Sequence, residues 1–498
     1  MLRIRDKKII WLLVFLHLAI ALPLAFSLNI WVDEASTLHT TQHGFVQTFR
    51  SLFTDEKQAP LYFLLMSCWR KLDDSIIFAR LFSILGSLLA IGAFSRLARR
   101  IWDEKTAIFI TAVFALHPYL FWASLEIRLY SLVILITCLL FSFFYDGFLS
   151  ENSAAGKSRI YFVGTAIAAL YTNYYLGSLL VGGFAALLML RRWKPAKSYF
   201  WRMLIVGAAV SPLLWILSWQ FSDRADTFQT ERSLAEGLRM LWNHFLTFVL
   251  PTEIFTTEEI SVFSIIRLWL VRFSMLAAVV LLVKNKLRDL DRNIIAFGTI
   301  SAVGGAFFLL VYYRLGAGLI EIRHAAIYFT AIFIFVSAVL VKILPVKSRI
   351  PLAVLYAVFF SYAVAALYPN LTKRGDWARV AEFIERSETP NQPIVMFPVY
   401  DAVALPFYYR GVNEIAPDEK FFSFAAEGET GKPDVYRRQI EFLIGKFPPA
   451  AAEIWLLTGD RCEVEQSCEP LENFVRANYT VIKEKDFYKE KARLLRKK

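Results

Sequence analysis

The sequence predicts a polytopic α-helical membrane protein with a small α/β domain at its C-terminal end. Three observations predict it. Hydrophobic residues make up 57% of the 498 and charged residues only 20%, where an average soluble domain is about 45–50% apolar and about 25% charged. Aromatics reach 16%, with 44 Phe, and mean hydropathy is +0.46. The apolar residues lie in long runs, whereas the last 130 residues alternate between polar and apolar. This composition excludes a disordered chain, a coiled coil and a collagen-like protein. The net charge of +12 does not point to nucleic acid, because the basic residues sit in short loops between apolar runs, where topology needs them.

A helix needs about 20 mostly apolar residues to cross a bilayer. Eleven runs meet that need: 9–28, 76–97, 106–124, 129–148, 160–176, 177–190, 203–221, 262–283, 293–313, 324–344 and 350–368. The run Pro60–Trp69 is too short to span and suits an interfacial or re-entrant piece. One set of loop ends holds 22 Lys and Arg and the other holds 10. The N-terminus is therefore expected in the cytoplasm of a plasma (inner) membrane protein, and the tail after Tyr368 outside. No cleavable signal peptide is seen, since the first run is a full span without an A-x-A site. The predicted division is 1–368 for the membrane domain and 369–498 for the extracytoplasmic domain. Loop helices on the outer face fall within 29–75 and 222–261, from the helical spacing of Leu38, Phe45, Phe49 and Leu52, and of Leu234, Leu238, Leu241 and Phe245.

The tail mixes strand-like runs (Gln392–Pro398, Glu453–Thr458, Tyr479–Phe487) with helical patterns (Trp377–Arg386, Tyr436–Phe447, Leu471–Ala477), which argues an α/β domain. Cys462 and Cys468 enclose a five-residue loop in this otherwise Cys-free segment. The spacing predicts a local disulfide in an oxidising compartment.

Ionisable groups at membrane depth are costly and are commonly functional. Three clusters stand at the outer helix ends: Asp33-Glu34, Glu126 with Arg128 and Tyr130, and Arg314 with Glu321 and Arg323. Each has a plainer reading. Asp33 suits a helix N-cap with Glu34 on the helix dipole, and the arginines suit interfacial anchors. Glu126 and Arg128 are two apart and do not face each other on a helix. The D-x-D at Asp289–Asp291 is flanked by arginines and fits a solvated loop. His39 and His43 stand i, i+4 and fit a polar surface. No phosphate-binding glycine loop or zinc spacing is present. No metal site is predicted, although the sequence leaves a divalent metal open, and no cofactor or nucleic acid is implied.

These clusters carry a resemblance. Trp31-Val32-Asp33-Glu34 followed by Gln58-Ala59-Pro60-Leu61-Tyr62-Phe63 resembles the GT-C glycosyltransferases, above all protein O-mannosyltransferases and bacterial lipid A aminoarabinose transferases. Glu126-Ile127-Arg128-Leu129-Tyr130 is similar to their E-x-R-x-Y stretch. Tyr171-Thr172-Asn173-Tyr174-Tyr175 is similar to T-H-Y-F with Asn173 replacing His, and Arg323-His324 to the R-Y that opens a late span. Gly375-Asp376-Trp377-Ala378-Arg379 resembles the start of their outer tail. Gln-Ala-Pro stands where the family has His-Pro-Pro, so that His has no counterpart here.

The resemblance implies a GT-C fold and a polyprenyl-phosphate sugar as donor. The acceptor would be a hydroxyl of a lipid, glycan or protein, reached among membrane lipids on the outer face. Phosphate is already a good leaving anion, so one base suffices for an in-line, inverting displacement. Glycosidases, by contrast, use two carboxylates. Asp33 is the expected base, supported by Glu34. Arg128, Arg323 and Arg314 would meet the phosphate, because a guanidinium fork matches its geometry. Glu126, Tyr130, Tyr62, Asn173 and Glu321 would support them. The alternatives are a flippase or transporter, which needs charges at the midplane, and a ligase of lipid-linked glycans.

Overall fold

The computed structural model describes residues 4–54, 58–150, 155–222, 233–249, 291–315, 321–344, 346–365, 374–397, 399–416, 440–445, 447–459 and 468–498, with single positions between 265 and 280 and at 367. The chain divides into two compact units. One comprises Met1–Phe26 and Thr40–Tyr368, the other Ser27–His39 and Pro369–Lys498.

The first unit is helical. Its helices are α1 (Ile4–Ser27), the last two residues of α2 (Val32–Thr41), which otherwise belongs to the second unit, α3 (Phe45–Thr54), α4 (Pro60–Arg70), α5 (Ile76–Ile101), α6 (Glu104–Ala115), α7 (Pro118–Leu125) and α8 (Tyr130–Phe144). Then follow α9 (Ala155–Thr172), α10 (Gly177–Met189), α11 (Trp193–Ser222), α12 (Leu234–Val249), α13 (Arg292–Leu315), α14 (Ala326–Ile343) and α15 (Val346–Ala365). Among the described residues six helices are long and apolar enough to cross a membrane, within α1, α5, α8, α11, α13 and α14. The pair α6 and α7, bent by 48°, makes a seventh if counted as one. The protein is thus a multi-pass membrane protein. The predicted runs 160–176, 177–190 and 350–368 form α9, α10 and α15, which fall outside that set. The run 262–283 lies mostly outside the described residues.

The bend has a local cause. Pro118 cannot donate to the preceding turn and disfavours a helical residue before it. His117 is accordingly extended, and its Nδ1 caps α7 by accepting from the Tyr119 amide at 3.1 Å. Close packing of α5 on α8 depends on a small residue: a Cβ added at Gly86 would lie 2.9 Å from Ser131 Oγ. Between them Ser83 Oγ donates to the Glu126 carbonyl at 2.6 Å.

The second unit contains a five-stranded mixed sheet of order β2-β1-β3-β5-β4. The strands are β1 (Ile394–Phe397), β2 (Ile415–Ala416), β3 (Glu453–Gly459), β4 (Tyr479–Phe487) and β5 (Glu490–Lys497). β1 runs parallel to β2 and β3, while β5 is antiparallel to both β3 and β4. Helices α16 (Trp377–Glu385) and α17 (Glu469–Asn478) accompany it. The core collects Val395, Phe397, Ile454, Leu456, Leu471, Val475 and Leu495. β5 lies inside the sheet and was not anticipated, because Glu490-Lys-Ala-Arg-Leu-Leu-Arg-Lys has no clean alternation. Cys468 is disulfide-bonded, and Cys68 and Cys138 are free. Cys462 lies outside the described residues.

Candidate functional site

The residues singled out in the membrane unit gather around α7. All of 117–131 is buried, and the helix is interrupted at Glu126-Ile127-Arg128-Leu129 between α7 and α8. Irregular backbone at such depth is tolerated only where protein or a polar cavity surrounds it. The break removes the difficulty of the two-residue spacing, since neither Glu126 nor Arg128 is on a helix. Glu126 is 3% exposed and Arg128 6%. The Arg128 guanidinium stands 6.0 Å from the centre of the Phe63 ring of α4. Tyr62, beside Phe63, is fully buried and packs edge-on against Phe82 at 5.9 Å. Tyr130 stacks on Trp122 at 4.8 Å.

A second segment joins this one. Trp122 lies 5.1 Å from Tyr119, whose hydroxyl donates to the Ile322 carbonyl at 2.9 Å. Ile322 separates Glu321 from Arg323, and Arg323 Nη2 reaches Glu321 Oε1 at 3.1 Å. The Glu321 amide donates to His324 Nδ1 at 3.1 Å, and the His324 ring is 6.2 Å from that of Tyr175. Asn173 ends α9 and caps the following 3-10 turn, its Oδ1 accepting from the Tyr175 amide at 2.8 Å. The aromatic residues of α7 thus connect Tyr130 to the Glu321–His324 segment, which in turn meets Tyr175 beside Asn173, while Arg128 meets Phe63 beside Tyr62. Arg314 closes α13, and its side chain lies outside what is described.

The acidic pair belongs to the other unit. Asp33 occupies the first turn of α2, where a carboxylate is favoured by the helix dipole. Its carbonyl accepts from Thr37 Oγ1 at 3.1 Å, and the residue is half-buried. Glu34 is fully buried and ion-paired with Arg374, itself 7% exposed. Arg374 also donates to the Asn29 carbonyl at 2.8 Å. The Asn29 side chain accepts from the Ala378 amide at 3.2 Å, and the Ile30 amide donates to the Tyr408 hydroxyl at 2.7 Å. The 27–39 segment is thereby tied to the unit that contains the sheet.

Two residues escaped the sequence reading. Arg374 directly precedes the Gly375–Arg379 stretch, and the signal for it was the buried carboxylate of Glu34, which needs a cation. Arg80 is fully buried in α5 and donates to the Ala25 carbonyl in the last turn of α1 at 2.7 Å. An arginine one turn inside an apolar run was its signal. Among the described residues no group of three or more His, Cys, Asp and Glu is placed to hold a metal ion. Asp289 of the D-x-D pair lies outside the described residues. Chemically, the membrane unit offers guanidinium groups beside aromatic rings at a buried helix break, suited to an oxyanion. The sheet unit offers a carboxylate fixed on a helix start, suited to accept a proton.

No protein-family model matches the chain, and no curated protein sequence does. Solved structures do. ArnT from Cupriavidus metallidurans in the apo state superposes with a TM-score of 0.55 at 15% identity, covering 97% of each chain. The same protein bound to undecaprenyl phosphate gives 0.54 at 15% identity, again covering 97% of each. The chain thus shares the fold of ArnT along almost its entire length.

Proposed function

We propose that the protein is a glycosyltransferase that moves a sugar from a polyprenyl-phosphate donor to a hydroxyl of a lipid, glycan or protein acceptor. The reading rests on one observation above the rest: within a fold shared with a protein that binds undecaprenyl phosphate, a buried helix break carries Arg128 with Glu126 beside it. Ionisable groups buried in an apolar helical unit are costly to keep and are commonly functional.

In the reaction the acceptor oxygen attacks the anomeric carbon as the bond from that carbon to the phosphate oxygen breaks. Asp33 takes the hydroxyl proton, and the polyprenyl phosphate leaves with the electron pair. Arg128 and Arg323, with Arg314 as a weaker third, neutralise the departing phosphate. Glu126 and Glu321 hold the arginines, and Tyr62, Tyr130 and Asn173 line and shape their surroundings. Glu34, engaged by Arg374, is a positioning residue for Asp33. A single displacement inverts the anomeric centre. No cofactor takes part in this scheme. The chain is a plasma-membrane protein of eleven spans with a cytoplasmic N-terminus. Residues 1–368 form the catalytic domain and 369–498 an extracytoplasmic α/β domain closed by the pair Cys462 and Cys468.

The test is transfer by the purified full chain in detergent, supplied with polyprenyl-phosphate sugars and a panel of hydroxyl acceptors. Transfer is expected from the lipid donor and not from nucleotide sugars. Asp33→Asn should reduce it by at least about 10²-fold, the scale of a lost general base, while leaving the thermal midpoint unchanged. Wild-type turnover in that variant would remove Asp33 from the mechanism.

A further inference from the structure

The opposite end of α8 carries a second basic site. Here the helix widens into a π-turn, Tyr145–Leu149, an element frequent at functional positions. Four arginines from three places in the chain meet this turn or flank it. Arg100, at the end of α5, is ion-paired with Asp146, and its carbonyl accepts from the Tyr145 hydroxyl at 3.1 Å. Arg99 precedes it, and its Nη2 is shielded from solvent with no hydrogen-bond partner among the described residues. Arg159 of α9 donates through Nε to the Gly147 carbonyl at 2.7 Å and lies 5.5 Å from the Phe148 ring centre. Arg192, before α11, donates to the Leu149 carbonyl and, through Nη2, to Asn293 Oδ1 at 3.0 Å.

Part of this arrangement has a plain purpose. The last carbonyls of a helix lack intrahelical partners, and cations there are favoured by the dipole. Topology likewise asks for basic residues at this end. Neither demand explains the convergence. A loop sets orientation with fully solvated lysines, whereas Arg99, Arg159 and Arg192 are drawn to half-buried positions. Among the described residues Asp146 is the buried acid at this turn, and the exposed Asp291 stands next to Arg292. Each guanidinium has five N–H donors in a fork suited to phosphate, and the carbonyl contacts use only a few. The site lies where α5 and α8 end and α9 and α11 begin, with the 65% exposed Trp193 beside it, a residue type enriched at membrane interfaces.

We propose that this end of α8 binds the phosphodiester headgroup of an anionic phospholipid. It is distinct from the donor-phosphate neighbourhood, which lies at the other end of the same helix, about 30 Å away at 1.5 Å per residue.

The experiment uses the full chain in detergent and follows its thermal midpoint with three probes: phosphatidylglycerol, phosphatidylcholine and inorganic phosphate. Phosphatidylglycerol should stabilise it, and the other two should not. In the Arg99→Gln/Arg100→Gln variant, which spares the carbonyl contacts of Arg159 and Arg192, the apparent affinity for phosphatidylglycerol should fall about fivefold per arginine removed. Equal stabilisation by phosphatidylcholine, or an unchanged affinity in the variant, would overturn the proposal. An effect of inorganic phosphate equal to that of the lipid would overturn the lipid assignment. Should the variant not fold, native mass spectrometry of the wild-type protein decides: phosphatidylglycerol retained in preference to phosphatidylcholine supports the site, and equal retention sinks it.

Discussion

Arg128 sits on a short stretch that is neither of the helices it joins, and that gives it a reach a helical residue would lack. Its charge is held 6% exposed beside the Phe63 ring. Removing one preorganised charge that meets a developing phosphate anion costs on the order of 3 kcal/mol in the transition state. Arg128→Ala is therefore expected to lower transfer by about 10²-fold and to weaken retention of polyprenyl phosphate. Arg128→Lys should restore only part, because a point charge replaces a planar fork. Donor binding measured directly on the alanine variant checks this, and unchanged affinity would reduce Arg128 to a packing residue. At this scale the sequence was informative on one side only. The acidic pair after the first run was visible, and so were Glu126 and Arg128. The partner of Glu34 was not, since Arg374 is 340 positions away and no local pattern links them. Arg80 was passed over because apolar neighbours on both sides hid it in a span.

Among the elements, those with a strong period were readable and those shaped by charge pairs were not. β4 and β3 could be placed to within a residue or two from their apolar or β-branched content. β5 was missed because its charges are neutralised only after folding. Arg493, 5% exposed, receives two contacts from α17, with Nη1 2.8 Å from Glu472 Oε2 and Nη2 2.6 Å from Oε1. Lys491 lies 3.3 Å from Glu484 and 3.4 Å from Asp486. The bidentate hydrogen bonds from Arg493 hold the Glu472 carboxyl below the usual carboxylate range, and burial opposes this only in part. A depressed folded-state value means that the contribution is present above the unfolded value of about 4.3 and is lost as pH falls through the folded value. Glu472→Gln should thus destabilise the sheet unit by about 1 kcal/mol at neutral pH. The difference from wild type should shrink below about pH 4 and vanish once the wild-type carboxyl is protonated. Limited proteolysis of the tail across pH reads it out, and a difference that persists at the lowest pH would mean the substitution acts through packing instead.

For the whole molecule, the number of apolar runs fixes which side each loop faces, so one error of count inverts the tail. Among the described residues six helices are long and apolar enough to cross, or seven with the bent pair. The bend at His117-Pro118, and α9, α10 and α15 that fall outside that set, show why counting apolar stretches is harder than finding them. A proline-broken span and two short helices separated by a 3-10 turn can each be taken as one crossing or two. The balance of Lys and Arg in the loops of the eleven-run reading predicts a cytoplasmic N-terminus. Eleven crossings then put Lys498 outside. An enzyme-activity reporter that works only outside the cytoplasm, fused after Lys498, should be active. One that works only in the cytoplasm should be silent there and active when fused within 190–192, between α10 and α11. The opposite pattern at Lys498 would make the number of crossings even. It would also separate the sheet unit, and with it the Asp33 carboxylate that belongs to that unit, from the face on which a membrane-borne donor is proposed to react.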